Sequence, residues 1–168
     1  GIFGIQIAKL YGCTVIATAS PEKLEKLKEL GADYAVDHRK DDWHKEVRAI
    51  TKQIVGEPGI DVIFEHIGGS HFNKELTLLK YGATMVTTGA TTGYDAPTDL
   101  RQIFFKGIDI LGSTQGTRAE LEQGFYWMGQ GKIKAIIDSV YTFENAVDAH
   151  NKMLNGKGLV GKIILKPE

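Results

Sequence analysis

The sequence predicts an α/β protein organised around a doubly wound parallel sheet, and two observations lead to this fold class. Short apolar or β-branched runs of strand length alternate with segments whose apolar residues recur every three or four positions. Glycine or proline stands at most of the changes between the two patterns. Such alternation implies parallel strands joined by right-handed crossovers, with helices on both faces of the sheet.

The first elements show how each assignment is made. Apolar residues between Ile2 and Leu10 have helical spacing, and Gly12 is a natural helix end, so a buried helix is predicted there. The run 14–18 is β-branched and of strand length, so a strand is predicted next. The remaining predicted elements, in order, are helix 21–30, strand 34–36, helix 41–54, strand 60–65, helix 70–79, strand 83–88, helix 99–105, strand 108–112, helix 118–128, strand 136–141, helix 143–155 and strand 162–165.

Composition limits the classes of partner. The chain has 168 residues, of which 42% are hydrophobic and 24% are charged, and these proportions fit one ordinary globular domain. A formal net charge of -1 gives no electrostatic reason to expect a nucleic-acid or membrane partner. The single cysteine, Cys13, excludes an internal disulfide and a cysteine-cluster zinc site and suits a reducing compartment. No apolar run reaches the roughly 18–20 residues needed to cross a bilayer, so we expect a cytoplasmic protein.

Five segments, taken in order, resemble one known family. They are GIFGIQIAKLYG at 1–12, KLEKLKELGAD at 23–33, DVIFEHIGG at 61–69, GSTQGTRAEL at 112–121 and GKIIL at 161–165. Together they resemble the medium-chain dehydrogenase/reductase family, which includes zinc-type alcohol dehydrogenases and quinone oxidoreductases. The resemblance implies a Rossmann-like dinucleotide-binding domain at 1–130 and a segment at 131–168 that returns to pack on a catalytic domain.

The resemblance also implies that parts of the family fold are missing from this chain. The first strand, the amino-terminal catalytic domain and two glycines of the pyrophosphate-binding G-x-G-x-x-G motif are not present, and only the third glycine is retained, as Gly1. In the strand order 3-2-1-4-5-6 the missing strand is the central one, so strands two and four each keep an unpaired edge. We therefore expect a segment of a longer polypeptide that holds no catalytic residue and no metal ligand, with any zinc bound in the missing domain.

By this resemblance, the parent protein transfers a hydride between the nicotinamide of NADP or NAD and a small-molecule alcohol or carbonyl substrate. The segments GSTQGTRAEL and FEHIGG favour the zinc-type alcohol dehydrogenases. Two alternatives stay open. One is a zinc-free NADPH quinone or enoyl reductase of the same family, and the other is a non-catalytic nucleotide-binding module.

The end of the strand at 14–18 bears on the choice of cofactor. An NAD enzyme usually presents Asp or Glu to the adenosine 2′-hydroxyl there, whereas this chain reads Ala-Thr-Ala-Ser at 17–20 and offers no carboxylate. A 2′-phosphate would be bound by hydroxyl and cationic groups, and Ser20, Lys23 and Arg39 are the candidates. The alternative for each is a helix-capping serine or a solvated cation. Taken together, the three residues favour NADP over NAD.

Further cofactor contacts are expected where other strands end, because ligands of open parallel sheets bind beyond the carboxyl ends of the strands. In the resembled family, the segments at 89–91 and 113–115 border the nicotinamide; the alternative for each residue is that a turn alone selects glycine, threonine or serine there, and the two loops taken together favour the cofactor. His66 has no second metal-ligating residue at suitable spacing, so it is predicted to line the cofactor or to pack. The full set of predicted contacts is Gly1, Ser20, Lys23, Arg39, His66, Ile67, Gly68, Gly89, Ala90, Thr91, Ser113, Thr114 and Gln115.

The strand at 108–112 is predicted to lie at the outer edge of the sheet. Its run Ile-Asp-Ile-Leu at 108–111 carries one charge and no proline or lysine, so the usual protections of a monomeric edge are thin. Dimers of the resembled family pair this strand with its own copy, and we expect a homodimer formed through Ile108 to Leu111. In the alternative, a loop covers the edge and the protein is monomeric.

Overall fold

The computed structural model describes residues 1–167, in which seven α-helices alternate with seven β-strands. No helix within these residues is both long and apolar enough to cross a membrane. Short 3-10 turns at Pro21–Lys23 and Phe143–Asn145 lead into the second and seventh helices. The helices are α1 (Ile2–Leu10), α2 (Leu24–Glu29), α3 (Trp43–Val55), α4 (Gly69–Leu78), α5 (Leu100–Lys106), α6 (Arg118–Gly129) and α7 (Ala146–Asn155). The strands are β1 (Ile16–Ala19), β2 (Tyr34–Asp37), β3 (Ile60–Glu65), β4 (Leu79–Thr87), β5 (Asp109–Gly112), β6 (Ile137–Thr142) and β7 (Lys162–Lys166).

The predicted elements are all present, and the largest boundary difference is at the start of β4. The sequence predicts a helix to 79 and a strand from 83, whereas β4 begins at Leu79, which pairs with Ile60 of β3. The register then shifts before Val62 meets Thr84, and the extra residues of β4 include Gly82 at φ +69°. Burial alone cannot place this boundary, since a buried leucine suits either a helix end or a strand start.

All strand pairs are parallel, as the alternation of strands and helices predicts, and they form three separate sheets. The orders are β1-β2, β3-β4-β5 and β6-β7. Within the part of the chain that the structure describes, β1 pairs with β2 alone and β3 pairs with β4 alone. In the numbering of the full fold, β1 and β2 are strands 2 and 3, and β3, β4 and β5 are strands 4, 5 and 6. The observed pairings are therefore those expected from the order 3-2-1-4-5-6 when the central strand 1 is absent. The predicted α/β fold class is confirmed, but the doubly wound sheet is not continuous within these residues.

The chain divides into two compact units. The first contains Gly1–Arg39 together with the part from Leu121 onward, and the second is Lys40–Glu120. Sheets β1-β2 and β6-β7 belong to the first unit, and β3-β4-β5 belongs to the second. The domain boundary predicted near residue 131 stays a prediction.

In the first unit, α1 and α2 contribute apolar side chains to one small core. Ile5, Leu27 and Ala32 are its most buried members. The side-chain amide of Gln6 donates to the carbonyl of Lys134 at 3.1 Å and accepts from the amide of that residue at 2.8 Å. This two-way bond joins α1 to the segment that precedes β6.

The Leu-Gly-Ala-Asp stretch that follows α2 also binds neighbouring elements of this unit through its last residue, Asp33. The carboxylate of Asp33 accepts from Lys9 Nζ at 2.8 Å and from the backbone amide of Val15 at 2.7 Å. The bond from Lys9 and then the bond from Val15 lower the pKa of Asp33. One side chain therefore joins α1 to the start of β1.

In the second unit, α4 and α5 pack on the sheet β3-β4-β5. The core consists of Leu76, Leu79, Ala83, Met85 and Ile108. β5 lies at the edge of the sheet order, as predicted, and its residues Ile110 and Leu111 are 37% and 52% exposed. The homodimer predicted from this edge stays a prediction.

Candidate functional site

The predicted cofactor contacts other than Gly1 all follow the carboxyl end of a parallel strand. This is the end at which open parallel sheets bind ligands. Gly1, Ser20, Lys23 and Arg39 belong to the first unit, and the remaining predicted contacts belong to the second. By strand, Ser20 and Lys23 follow β1, Arg39 follows β2, His66, Ile67 and Gly68 follow β3, Gly89, Ala90 and Thr91 follow β4, and Ser113, Thr114 and Gln115 follow β5.

In the first unit, the pairing of β1 with β2 brings Ser20 and Arg39 to the same edge. Ala19 lies opposite Asp37 in the parallel register, and the carbonyl of Ala19 accepts from the amide of His38 at 3.2 Å. Ser20 is 7% exposed, whereas the side chain of Arg39 is 59% exposed. The edge therefore carries a largely buried serine residue and an accessible guanidinium.

Glu22 binds this guanidinium from the turn that follows β1. Arg39 donates to both carboxylate oxygens of Glu22, at 3.0 Å from Nη2 and 3.3 Å from Nη1. The pKa of Glu22 lies below its ordinary value, first because of a hydrogen bond with its own backbone and then because Ser20 and Arg39 also bond to it. The run 17–20 contains no carboxylate, as the sequence analysis notes, but Glu22, two residues beyond Ser20, brings one to this edge through its pair with Arg39.

The donor set at this edge fits a phosphate. Serine hydroxyl, lysine ammonium and arginine guanidinium all donate hydrogen bonds, and a phosphate monoester accepts them. Ser20, Lys23 and Arg39 supply one group of each kind. The carboxylate of Glu22 is an acceptor as well, so it competes with a phosphate for the same donors.

In the second unit, Glu65 at the end of β3 organises the turn that follows it. Glu65 is 1% exposed. Its Oε1 accepts from the backbone amides of Ile67 and Gly68, both at 2.5 Å, and its Oε2 accepts from the hydroxyl of Thr87 at 2.8 Å. A buried carboxylate with three donors is well satisfied, and it holds the turn against β4.

The turn at 66–69 is hydrogen-bonded to the loop that follows β4. The amide of Thr92 donates to the carbonyl of Ile67 at 2.8 Å, and the amide of Gly69 donates to the carbonyl of Gly93 at 3.0 Å. Gly68 has φ +72°, and a Cβ there would lie 2.5 Å from the Gly93 oxygen. Glycine at 68 is thus required by the approach of the two loops, whereas the sequence suggested only an approach to a ligand.

His66 lies within this pair of loops and is half-buried. Its carbonyl accepts from the hydroxyl of Thr91 at 2.9 Å, and its ring centroid is 5.8 Å from that of Phe64. Burial lowers the pKa of His66, which favours the neutral imidazole. Within residues 1–167, no group of three or more His, Cys, Asp and Glu side chains is placed to hold a metal ion.

The segment after β5 is more open. The amide of Ser113 donates to the carbonyl of Thr87 at 3.0 Å, which continues the strand pairing by one bond. Thr114 and Gln115 are exposed. At the start of α6, the Glu120 carboxylate accepts from the amide of Thr117 at 2.6 Å and from its hydroxyl at 2.9 Å, and so closes the loop. The predicted contacts 113–115 therefore lie on an accessible loop that is anchored at both ends.

Gly1 stands at the amino end of α1, and its carbonyl accepts from the amide of Ile5 at 3.0 Å. A Cβ at Gly1 would meet no atom within 4 Å, so the space around it is open.

Sequence reasoning missed two residues that shape the site, Glu22 and Glu65. Glu22 looked like an ordinary acidic residue in the first turn of a helix. Its signal was its place two residues beyond Ser20 and one before Lys23. The sequence places Glu65 only as part of a segment at 65–69 expected near a ribose of the cofactor, although a carboxylate directly before a glycine-rich turn is suited to bind the amides of that turn.

Comparisons with known proteins agree with this arrangement of elements. Residues 1–130 match the family model described as zinc-binding dehydrogenase. A quinone oxidoreductase from Pongo abelii is 32% identical over 173 aligned residues, which cover 98% of this chain and 50% of that protein. An alcohol dehydrogenase from Geobacillus stearothermophilus is 30% identical over 167 residues, which cover 99% of this chain and 47% of that protein. The chain therefore spans about half the length of the curated relatives it matches.

Solved structures show the same likeness in three dimensions. The crystal structure of an NAD-dependent alcohol dehydrogenase matches 98% of this chain with a TM-score of 0.88 and 32% sequence identity, and the match covers 47% of that protein. The family model covers 130 of the 168 residues, well over half of the chain. The chain belongs to the zinc-binding dehydrogenase family, and thus to the medium-chain dehydrogenases/reductases that its sequence segments resemble.

Proposed function

We propose that this chain is the cofactor-binding part of an NAD(P)-dependent oxidoreductase that transfers a hydride between a nicotinamide and an alcohol or carbonyl substrate. The observation that carries the proposal is that every predicted contact except Gly1 lies beyond the carboxyl end of a parallel strand. Membership of the zinc-binding dehydrogenase family supports the reaction class. The names of two relatives, a quinone oxidoreductase and an alcohol dehydrogenase, support it as well.

In this proposal the nicotinamide supplies or accepts the hydride, while the protein binds and orients it. Gly1 at the start of α1 contacts the pyrophosphate, which suits the positive end of a helix. The turn at 66–68 contacts a ribose, and the loops at 89–91 and 113–115 contact the nicotinamide. Glu65 holds the turn in one conformation through its bonds to two amides, so this contact surface is organised before a ligand arrives.

We propose NADP as the preferred cofactor, with Ser20, Lys23 and Arg39 as donors to its 2′-phosphate. The chemistry of these donors supports the choice, and the competing carboxylate of Glu22 weakens it. Any catalytic zinc would be held by a part of the intact protein outside residues 1–167.

The remaining features of the proposal concern the whole protein. Residues from 131 onward return to a catalytic domain, and the substrate is a small molecule. Two copies associate through the exposed edge at β5, which the exposed side chains of Ile110 and Leu111 support. The protein works in the cytoplasm, in keeping with its single, exposed and unpaired cysteine.

A second candidate is a zinc-free NADPH quinone or enoyl reductase of the same family. The observation that favours it is the 32% identity with a quinone oxidoreductase over nearly the whole chain. A third possibility, a nucleotide-binding module without catalysis, differs from both by binding a dinucleotide without consuming it.

One experiment on the intact protein separates these candidates. NADPH and NADH oxidation is measured with a panel of aldehydes, ketones, quinones and enones, and bound zinc is measured by elemental analysis. Turnover of aldehydes or ketones with bound zinc supports the alcohol dehydrogenase, and turnover of quinones or enones without zinc supports the reductase. Binding without turnover supports the module, and failure to bind either dinucleotide contradicts the proposed function.

A further inference from the structure

We propose that Glu22 is a specificity-determining residue: its carboxylate occupies Arg39 in the free protein, and a cofactor 2′-phosphate must displace it in order to bind. The inference rests on the proposed function, since it concerns the adenosine end of the same cofactor. It adds a residue that selects between the phosphorylated and the unphosphorylated dinucleotide.

The geometry of the pair supports this role. The guanidinium of Arg39 bonds to both oxygens of Glu22, at 3.0 and 3.3 Å, which is the two-point geometry that arginine also adopts with phosphate. The carboxylate therefore makes the same kind of contact with Arg39 that a 2′-phosphate would make. A bound phosphate and an unmoved Glu22 cannot both take this pair of donors.

The pair is also placed where it can open. The side chains of Arg39 and Glu22 are 59% and 30% exposed, so water and ligand reach both of them. Exposed ion pairs contribute little to stability because water solvates the separated charges almost as well. A dianionic phosphate competes well for the guanidinium against one carboxylate, so Glu22 lowers the affinity for NADPH without abolishing it.

The carboxylate is charged when this competition takes place. Its pKa lies below the ordinary value, first through a hydrogen bond with its own backbone and then through Ser20 and Arg39. The carboxylate therefore engages Arg39, one of the three donors predicted for the 2′-phosphate, and lies two residues beyond a second, Ser20. NADH has only a hydroxyl at this position, so it neither needs Arg39 nor meets the repulsion between Glu22 and a phosphate.

The test uses the intact protein and its Glu22→Gln variant. Dissociation constants for NADPH and NADH are measured by nucleotide fluorescence. Adenosine 2′,5′-bisphosphate and 5′-AMP serve as competitors that probe the adenosine end alone. Removing one like charge next to a phosphate at an exposed site is expected to tighten NADPH and the bisphosphate by about three- to tenfold. NADH and 5′-AMP are expected to change by less than about twofold, since neither carries the 2′-phosphate.

Glu25→Gln is the matched control. Glu25 lies three residues beyond Glu22 and pairs with Lys28 at 2.9 Å instead of with Arg39. Its replacement by glutamine removes the same single negative charge. It is expected to leave both dinucleotides within about twofold of the starting protein, because its side chain is 84% exposed and its charge is screened. If Glu25→Gln tightens NADPH as much as Glu22→Gln does, the effect is one of net charge and the specific role of Glu22 is overturned.

A second variant tests whether Glu22 acts through Arg39. In an Arg39→Gln background, the tightening of NADPH caused by Glu22→Gln is expected to fall to less than half, because the guanidinium that Glu22 releases is gone. An undiminished effect overturns the proposal that Glu22 works by occupying Arg39. If Glu22→Gln weakens NADH and leaves NADPH unchanged, the carboxylate instead accepts from the ribose 2′-hydroxyl, and the proposal is overturned in favour of NAD.

Failure of the proposed function gives a different result. If the starting protein binds neither dinucleotide and neither adenosine competitor, both the proposed function and the role of Glu22 are wrong. If it binds NADPH and Glu22→Gln changes nothing, only the role of Glu22 is wrong.

Discussion

Replacing Glu75 with glutamine should raise the free energy of unfolding of the second unit, and this gain over the unchanged protein should be larger at pH 8 than at pH 5. Glu75 lies on α4, and its Oε2 is buried without a hydrogen-bond partner among the described residues. Burial, and then the nearby charge of Glu65, raise its pKa from 4.5 to about 7. Glutamine keeps the shape of the side chain and cannot ionise.

The magnitude follows from proton linkage. Between pH 4.5 and 7 the folded protein binds this proton and the unfolded chain does not, so the free energy of unfolding falls as the pH rises. The full effect of this pKa change is about 3 kcal/mol, reached above pH 7, and about 1 kcal/mol of it is already present at pH 5. The stability gained from Glu75→Gln should therefore be about 2 kcal/mol larger at pH 8 than at pH 5.

The assay is urea unfolding of the intact protein at both pH values, with the amides of β3 and β4 followed by hydrogen exchange so that the second unit is observed separately. Glu57→Gln is the control, since Glu57 is an exposed glutamate of the same unit and should show no comparable pH dependence. An equal effect of Glu75→Gln at pH 5 and pH 8 would show that the buried carboxyl does not hold a proton, and the reasoning would fail.

Three further predictions concern the intact protein. Asp33→Asn should lower the free energy of unfolding by about 1 kcal/mol at pH 7, because the neutral amide of asparagine cannot form the ion pair that Asp33 makes with Lys9. This loss should be complete above about pH 4 and disappear as the pH falls through the lowered pKa of Asp33, which urea unfolding across this range checks. Gly68→Ala should lower the free energy of unfolding, measured by thermal unfolding, by about 2 kcal/mol more than Gly82→Ala does. Both glycines have positive φ, but only a Cβ at residue 68 clashes with a neighbouring atom. Equal losses of stability would argue against the close approach of the two loops. Ile110→Pro should turn a dimer into a folded monomer in sedimentation, because it removes an edge donor; a dimer that survives would exclude β5 as the interface.

The sequence predicted the order and type of the elements because each depends on local patterns. Helical spacing ends at Gly12 and Gly31, and the run from Ile60 to Glu65 has strand length between two turn signals. Parallel pairing followed from the alternation itself. The start of β4 was misplaced because it depends on the partner of Leu79 in the adjacent strand, which no local pattern contains.

The candidate site was predicted less completely, since it depends on contacts between residues far apart in sequence. The positions of Ser20 and Arg39 after two strands could be read from the chain, but the bond between Arg39 and Glu22 joins residues 17 positions apart. The role of Glu65 likewise depends on Thr87, which β4 brings beside it. Patterns identified the strand ends, while the folded pairing decided which charges meet there.

Hydrogen exchange of the intact protein with and without NADPH tests most directly whether the carboxyl ends of the strands bind the cofactor. The predicted result is slower exchange of the amides at 20–23, 66–68, 89–91 and 113–115, with little change at the opposite ends of the strands around 57–60 and 79–81. Protection confined to those opposite ends, or no protection at saturating NADPH and NADH, would contradict the account.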